Sequence, residues 1–159
     1  MTQKLEATLV GLLAKRQQTL ATAESCTGGC LAHRVTDVPG ASAVFLGGLV
    51  AYSNQAKRKF LGVRAKTLAR HGAVSAPVAR EMAVGARRKF GADYALAITG
   101  IAGPTGGSPH KPLGTVFLAL AGPSATIVQR RLNRASRPRF KEMTARQALH
   151  MLRAHLQPK

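Results

Sequence analysis

The chain has 159 residues, enough for one domain with its own core and too few for two ordinary ones. Aromatic residues make up only 4% and Trp is absent, so the core must be assembled from Ala, Val, Leu and Ile. Lys and Arg number 24 against six acidic residues, a formal charge of +18 that attracts phosphates and permits non-specific nucleic-acid contact, but without stacking aromatics or a binding motif it does not make nucleic-acid binding the expected task.

Leu5, Leu9, Leu12 and Leu13 fall at helical spacing and predict an amphipathic helix over residues 3–16. Glu6 inside that pattern argues against a signal peptide, and no run approaches the roughly 20 apolar residues needed to span a bilayer. A cytoplasmic protein with no membrane partner is therefore expected. T-L-A-T-A (19–23) reads as a short buried strand, followed by A-E-S-C-T-G-G and a helix over 27–35. V-F-L-G-G-L-V-A-Y-S (44–53) is β-rich, and its Gly47-Gly48 pair marks a bulge or a close backbone approach. Helices over 55–61, ending at Gly62, and over 65–70 come next.

Ser75-Ala76-Pro77 combines an N-cap serine with a first-turn proline and starts a helix that runs to Phe90. Arg87, Arg88 and Lys89 lie near its negative end, and Gly91 stops it. D-Y-A-L-A-I-T (93–99) is a buried strand leading into a glycine-rich loop over 99–109. Residues 115–120 and 125–130 form a hairpin around Gly122-Pro123, and a last helix covers about 138–156 with Phe140, Met143, Leu149 and Leu152 inward. Strands alternating with helices, plus one hairpin, predict a single unit over residues 1–159: an α/β protein, a three-layer α/β/α sandwich with a mixed, mostly parallel sheet.

Chemistry concentrates at three places. Ser25 sits at a strand-to-helix junction, where unpaired N–H groups favour negative charge and Gly28 and Gly29 allow close approach to the backbone. On spacing alone it is either a helix cap or a nucleophile whose oxyanion would meet those donors. Its neighbour Cys26 is a rival nucleophile if the helix start lowers its pKa. None of the five His residues forms a motif with Ser25, although His33 is close in sequence, so lysine is the candidate base.

A-Y-S-N-Q-A-K (51–57) leaves a strand for a helix and carries Tyr52 and Lys57. A lysine acts as a base only when burial or neighbouring cations depress its pKa, a role the net positive charge could fill. Otherwise Lys57 is one more surface cation and Tyr52 a core-edge residue. The loop from Thr99 through Gly100 and Gly103 offers backbone N–H groups to a phosphate or polar ligand, but matches no nucleotide-cofactor fingerprint. No cofactor is expected. Cys26 and Cys30 lack further ligands at metal spacing, and Asp37 and Asp93 stand alone, so no metal site is expected. Free thiols fit a reducing compartment.

Taken in order, A-E-S-C-T-G-G, T-D-V-P-G-A-S, G-G-L-V-A-Y-S-N-Q-A-K, H-G-A-V-S, G-A-D-Y-A-L-A-I-T-G-I-A-G-P-T-G-G and K-P-L-G-T-V resemble the CinA C-terminal-domain family, the bacterial nicotinamide-nucleotide amidases. The resemblance runs from about residue 5 to 156 and is to the stand-alone form. It implies a three-layer α/β/α fold, a homo-oligomer, and deamidation of nicotinamide mononucleotide to nicotinate mononucleotide and ammonia.

It further implies Ser25 as nucleophile, with Lys57 and Tyr52 as base and relay. Thr27, Gly28 and Gly29 would hold the oxyanion, and Arg137 with Thr99, Gly100 and Gly103 would hold the substrate. The family's Gly-Asp before that arginine is replaced here by Ala135-Ser136. Two alternatives stand beside this reading: a non-catalytic nucleotide- or DNA-binding module of the same fold, and an amidase for another small amide.

Overall fold

Three stretches of the chain, 20–24, 94–100 and 115–121, alternate alanine with larger residues, and this alternation builds the protein's two cores. The computed structural model describes residues 5–157, so residues 3 and 4 of the first predicted helix lie outside it. In chain order the elements are α1 (Leu5–Lys15), β1 (Leu20–Glu24), α2 (Cys30–Thr36), β2 (Phe45–Val50), α3 (Asn54–Leu61), α4 (Ala65–His71), α5 (Ala76–Phe90), β3 (Tyr94–Gly100), β4 (Thr115–Ala121), β5 (Thr126–Leu132) and α6 (Arg137–Leu156).

The sheet order is β2-β1-β3-β4-β5. β1 pairs in parallel with β2 and β3, and β4 pairs antiparallel with both β3 and β5, so β4 alone opposes the common direction. The helices cover both faces, as an α/β/α sandwich requires.

Because strand side chains alternate between faces, the large residues Leu20, Leu96, Ile98, Val116, Leu118 and Leu120 pack against α1, α2 and α6. The alanines 21, 23, 95, 97, 119 and 121 face α5, through Val78, Ala79, Met82, Ala83 and Ala86. Small side chains on both surfaces bring α5 close to the sheet. The Gly47-Gly48 pair of β2 marks the close approach expected of it. A side chain at Gly47 would collide with the Phe90 ring, and one at Gly48 with Thr22 Oγ1.

Local signals placed most boundaries. Ser75 Oγ accepts from Val78 N at 3.4 Å, and Gly91 ends α5 at φ 62°. Ser53 caps α3 in the same way, accepting from Ala56 N at 3.0 Å. Phe140, Leu149 and Leu152 of α6 are buried, and Met143 is half-buried.

The helix predicted over 27–35 is different. It begins only at Cys30, after a turn in which Gly28 and Gly29 take φ of 58° and 99°. Paired glycines accept this left-handed backbone, which interrupts a helix and so delays its start to Cys30.

α3, which carries Lys57, is seated on α5 at a single glycine. A methyl group at Gly85 would overlap the backbone carbonyl of Leu61, the last residue of α3. Gly85→Ala therefore forces the two helices apart. We expect it to destabilise the protein by about 1–3 kcal/mol, the usual cost of overpacking, as a lower urea midpoint at unchanged m-value.

Candidate active site

Strand alternation also sets the site. Glu24 and Ser25 are adjacent at the carboxyl end of β1 and serve opposite faces. Glu24, with 1% of its surface exposed, accepts from the N–H groups of Gly29 (3.1 Å), Leu31 (3.0 Å) and Ala32 (2.8 Å). It caps the start of α2, a role the sequence offered to Ser25. A carboxylate suits the positive end of a helix.

Ser25 is thereby free to meet α3. Its N–H donates to Ile98 O at 3.0 Å, and Ala51 N–H donates to Glu24 O at 2.8 Å, so the ends of β3 and β2 hold both sides of this junction.

Lys57 Nζ lies 2.9 Å from Ser25 Oγ, 2.9 Å from Ala51 O and 3.4 Å from Tyr52 O. Lys57 is only 1% exposed, and among the described residues no carboxylate pairs with it. Burial lowers its pKa from the ordinary 10.5, against a smaller upward pull from Cys26. The cause is therefore desolvation rather than the protein's net charge. A neutral amine fits its three neighbours: two N–H groups for two carbonyls, and a lone pair for the serine hydroxyl.

Cys26 has the opposite balance. Burial pushes its thiol up to about 12, beyond what its backbone hydrogen bond and Lys57 offset. It is a protonated, unreactive thiol at neutral pH. Both cysteines are free.

A cavity of about 290 Å³ opens in front of Ser25 and Lys57. Thr99, Gly100, Gly103 and Arg137 line it, as the sequence suggested, and so do Tyr52 and Cys26. Ile101, Ala102, Thr105 and Gly106 of the expected 99–109 loop also line it, and so do Asn54, Ala73 and Val74, which were not anticipated. The loop residues among them had a signal in the glycine-rich stretch. Ala73 and Val74 had none, since only folding brings the segment before α5 to the end of β3, where Thr99 Oγ1 donates to Ala73 O at 2.9 Å. The cavity sits at the carboxyl ends of the parallel strands, the usual ligand crevice of an open α/β sheet.

Three expected contributors lie elsewhere. Thr27 is fully buried, and its hydroxyl has no partner among the described residues. Gly28 and Gly29 line a separate hollow beside His33 and Lys141. Their N–H groups are already committed, Gly28 to Ser25 O at 3.0 Å and Gly29 to Glu24. Within this turn, the N–H groups of Cys26 and Thr27 alone remain without a carbonyl or carboxylate partner among the described residues.

Tyr52 is also displaced from its expected place. Its side chain is exposed, and its hydroxyl accepts from Arg137 Nη2 at 2.7 Å instead of linking Lys57 to Ser25. Arg137 Nη1 donates to Gly103 O at 2.8 Å. Although Ala135-Ser136 stands where the resemblance expects Gly-Asp, this loop is pinned by buried Asn133. The Asn133 amide donates to Thr144 Oγ1 at 3.0 Å and to Gln147 Oε1 at 2.8 Å, both on α6. His33 is exposed and does not line the cavity.

A family model described as the CinA C-terminal domain matches residues 2–156. The chain belongs to that family. A CinA-like protein of Anaeromyxobacter sp. (strain Fw109-5) is 56% identical over 154 residues, covering 97% of this chain and 38% of the relative. A CinA-like protein of Citrifermentans bemidjiense is 51% identical over 154 residues, covering 97% of this chain and 37% of the relative. The chain thus spans less than half the length of these CinA-like relatives.

Solved structures of the family superpose closely. A competence/damage inducible protein from Agrobacterium tumefaciens matches with TM-score 0.93 and 41% identity, over 96% of this chain and 94% of that one. A CinA superfamily protein from Klebsiella pneumoniae matches with TM-score 0.92 and 38% identity, over 96% and 95%. The CinA fold and its mixed sheet are therefore shared by chains of this size. Among the described residues, no helix is long and apolar enough to cross a membrane, and no group of three or more His, Cys, Asp or Glu is arranged to hold a metal ion.

The depressed pKa of Lys57 has a thermodynamic consequence. The unfolded chain binds a proton there at any pH below 10.5, whereas the folded chain does so only below a lower pKa. Between the two values unfolding takes up a proton, so the stability Lys57 contributes is complete above 10.5 and falls as pH drops through the folded pKa. We expect urea midpoints to show this rise with pH in the wild type relative to Lys57→Met, which lacks the group.

Proposed function

We propose that this CinA-family chain, one domain over residues 1–159, is an amidohydrolase that converts nicotinamide mononucleotide to nicotinate mononucleotide and ammonia. The observation that carries the reading is the buried Lys57 amine 2.9 Å from Ser25 Oγ, with no carboxylate among the described residues to hold it charged. A neutral amine in contact with a hydroxyl is the arrangement of an activated serine nucleophile.

The steps follow from those contacts. Lys57 Nζ takes the Ser25 proton as Oγ attacks the carboxamide carbon. The N–H of Cys26, which lines the cavity and has no carbonyl or carboxylate partner among the described residues, is the donor left to meet the oxyanion. Collapse of the tetrahedral intermediate breaks the C–N bond, and the Lys57 ammonium returns the proton to the departing ammonia. Lys57 then removes a proton from the water that hydrolyses the acyl-serine, releasing the carboxylate and restoring the Ser25 hydroxyl. Lys57 reaches Ser25 without an intermediary, so Tyr52 is left no proton to carry between them.

The cavity supports a small substrate. Its volume of about 290 Å³ is at the lower end of small-molecule sites, which run from about 300 to 1,000 Å³, and suits a mononucleotide better than a dinucleotide. Arg137, exposed at the mouth and without a carboxylate partner among the described residues, suits the phosphate. On this reading the enzyme acts in pyridine-nucleotide recycling.

Ammonia release from nicotinamide mononucleotide tests the reading. Ser25→Ala should reduce it by about 10⁴-fold or more, and Lys57→Met by about 10²–10⁴-fold. Wild-type protein that binds the nucleotide or DNA and releases no ammonia would identify a binding module instead. Release from another small amide alone would reassign the substrate.

The wild-type kcat/KM should rise with pH along a limb set by deprotonation of Lys57, and the residual rate of Lys57→Met should lack that limb. Because the Cys26 thiol stays protonated, Cys26→Ala should retain turnover within about threefold, which excludes it as nucleophile.

A further inference from the structure

Tyr52 is the exposed aromatic of the cavity, and its contacts do not suit proton transfer. Its side chain is 58% exposed, while Lys57 and Ser25 meet each other directly. Only the backbone carbonyl of Tyr52 approaches Lys57 Nζ, at 3.4 Å, and that contact survives any change of side chain. The phenolic oxygen instead accepts from Arg137 Nη2 at 2.7 Å. The other terminal nitrogen of Arg137 donates to Gly103 O at 2.8 Å.

Tyr52 follows β2, Gly103 lies in the loop after β3, and Arg137 opens α6. The three meet only across the mouth of the cavity. An arginine side chain has many rotamers and would otherwise wander in solvent at an exposed position. Here the phenol and the carbonyl hold the guanidinium at two points and fix its plane. Nε–H and the second N–H of each terminal nitrogen remain for an anion, in the fork that matches a phosphate.

We infer that Tyr52 is a positioning residue that orients Arg137 toward the phosphate of the substrate and so selects a phosphorylated amide over its uncharged counterpart. The choice of substrate rests on the amidase reading above; the Tyr52–Arg137 contact does not. Tyr52 then determines KM for the phosphorylated substrate, while the Ser25–Lys57 pair determines the chemical step. A proton-relay role would have the opposite signature, lowering kcat alike for substrates with and without phosphate.

The experiment compares wild type with Tyr52→Phe, which keeps the ring and removes the hydroxyl. With nicotinamide mononucleotide, KM should rise about three- to tenfold and kcat should stay within about twofold. With nicotinamide riboside, neither constant should change by more than about twofold. In an Arg137→Ala background, Tyr52→Phe should add nothing further, since the two residues act as one unit.

A second readout needs no turnover. The side-chain nitrogen resonances of Arg137, identified by their loss in Arg137→Lys, should report a guanidinium held at two points in wild type and a measurably more mobile one in Tyr52→Phe, where only the Gly103 O contact is left. An equal fall in kcat for nucleotide and riboside overturns the proposal, as does a guanidinium whose mobility in Tyr52→Phe equals that of wild type. Absence of ammonia release by the wild type would instead count against the amidase reading and leave the resonance test of Tyr52 to decide on its own.

Discussion

A primary amine held out of water beside a hydroxyl, with two carbonyls and, among the described residues, no carboxylate paired with it, is the constraint on which the rest of this structure depends. Burying an ammonium without a counter-charge is costly enough that the group adjusts by releasing its proton. Lys57 is tolerated at 1% exposure because its polar contacts are complete: Ala51 O, Tyr52 O and Ser25 Oγ all lie within hydrogen-bond distance of Nζ. The same desolvation that lowers the pKa of Lys57 raises that of Cys26, pushing its thiol up to about 12. One dry environment thus produces both shifts, because loss of water favours the uncharged form of either group.

Secondary structure supplies that environment economically. Glu24 and Ser25, consecutive at the end of β1, fall on opposite sides of the sheet. The carboxylate closes the α2 end on one side, and the hydroxyl meets α3 on the other. Without Glu24, the open N–H groups at the start of α2 would compete for Ser25 or for an incoming anion. The alanine face of the sheet lets α5 lie close, and Gly85 lets α3 lie close to α5, which delivers Lys57 into the dry layer. Backbone proximity at a glycine far from the chemistry is therefore part of how the amine is placed.

The +18 charge fits into this picture indirectly. It does not tune Lys57, whose shift comes from burial. Several of the few carboxylates are occupied structurally: Glu24 as a cap, Glu6 with Arg34 and Glu81 with Arg64. Cations such as Arg137 are consequently left without acidic partners and available to anionic ligands.

Much was legible along the chain. Short β-rich runs marked the strands, Ser75-Ala76-Pro77 marked the start of α5, Gly62 and Gly91 marked the ends of α3 and α5, and the glycine-rich stretch after β3 marked one wall of the cavity. Ser25 and Lys57 were recognisable as a serine at a strand end and a lysine just inside a helix. The sequence also carried the resemblance to the CinA family, because ordered motifs survive as strings of letters. Other features depended on neighbours distant in sequence.

The helix expected from the sequence starts at Thr27, but left-handed glycines and the Glu24 cap moved the start of α2 to Cys30, and Thr27 is buried. Tyr52 and Arg137 are 85 positions apart, and nothing local indicated that they share a hydrogen bond. Local propensities and alternation are properties of a few adjacent residues, and these the sequence determined by itself. Which amine is dry, which carboxylate caps which helix and which phenol holds which arginine are matters of solvent exclusion and distance, and only the tertiary structure decided them.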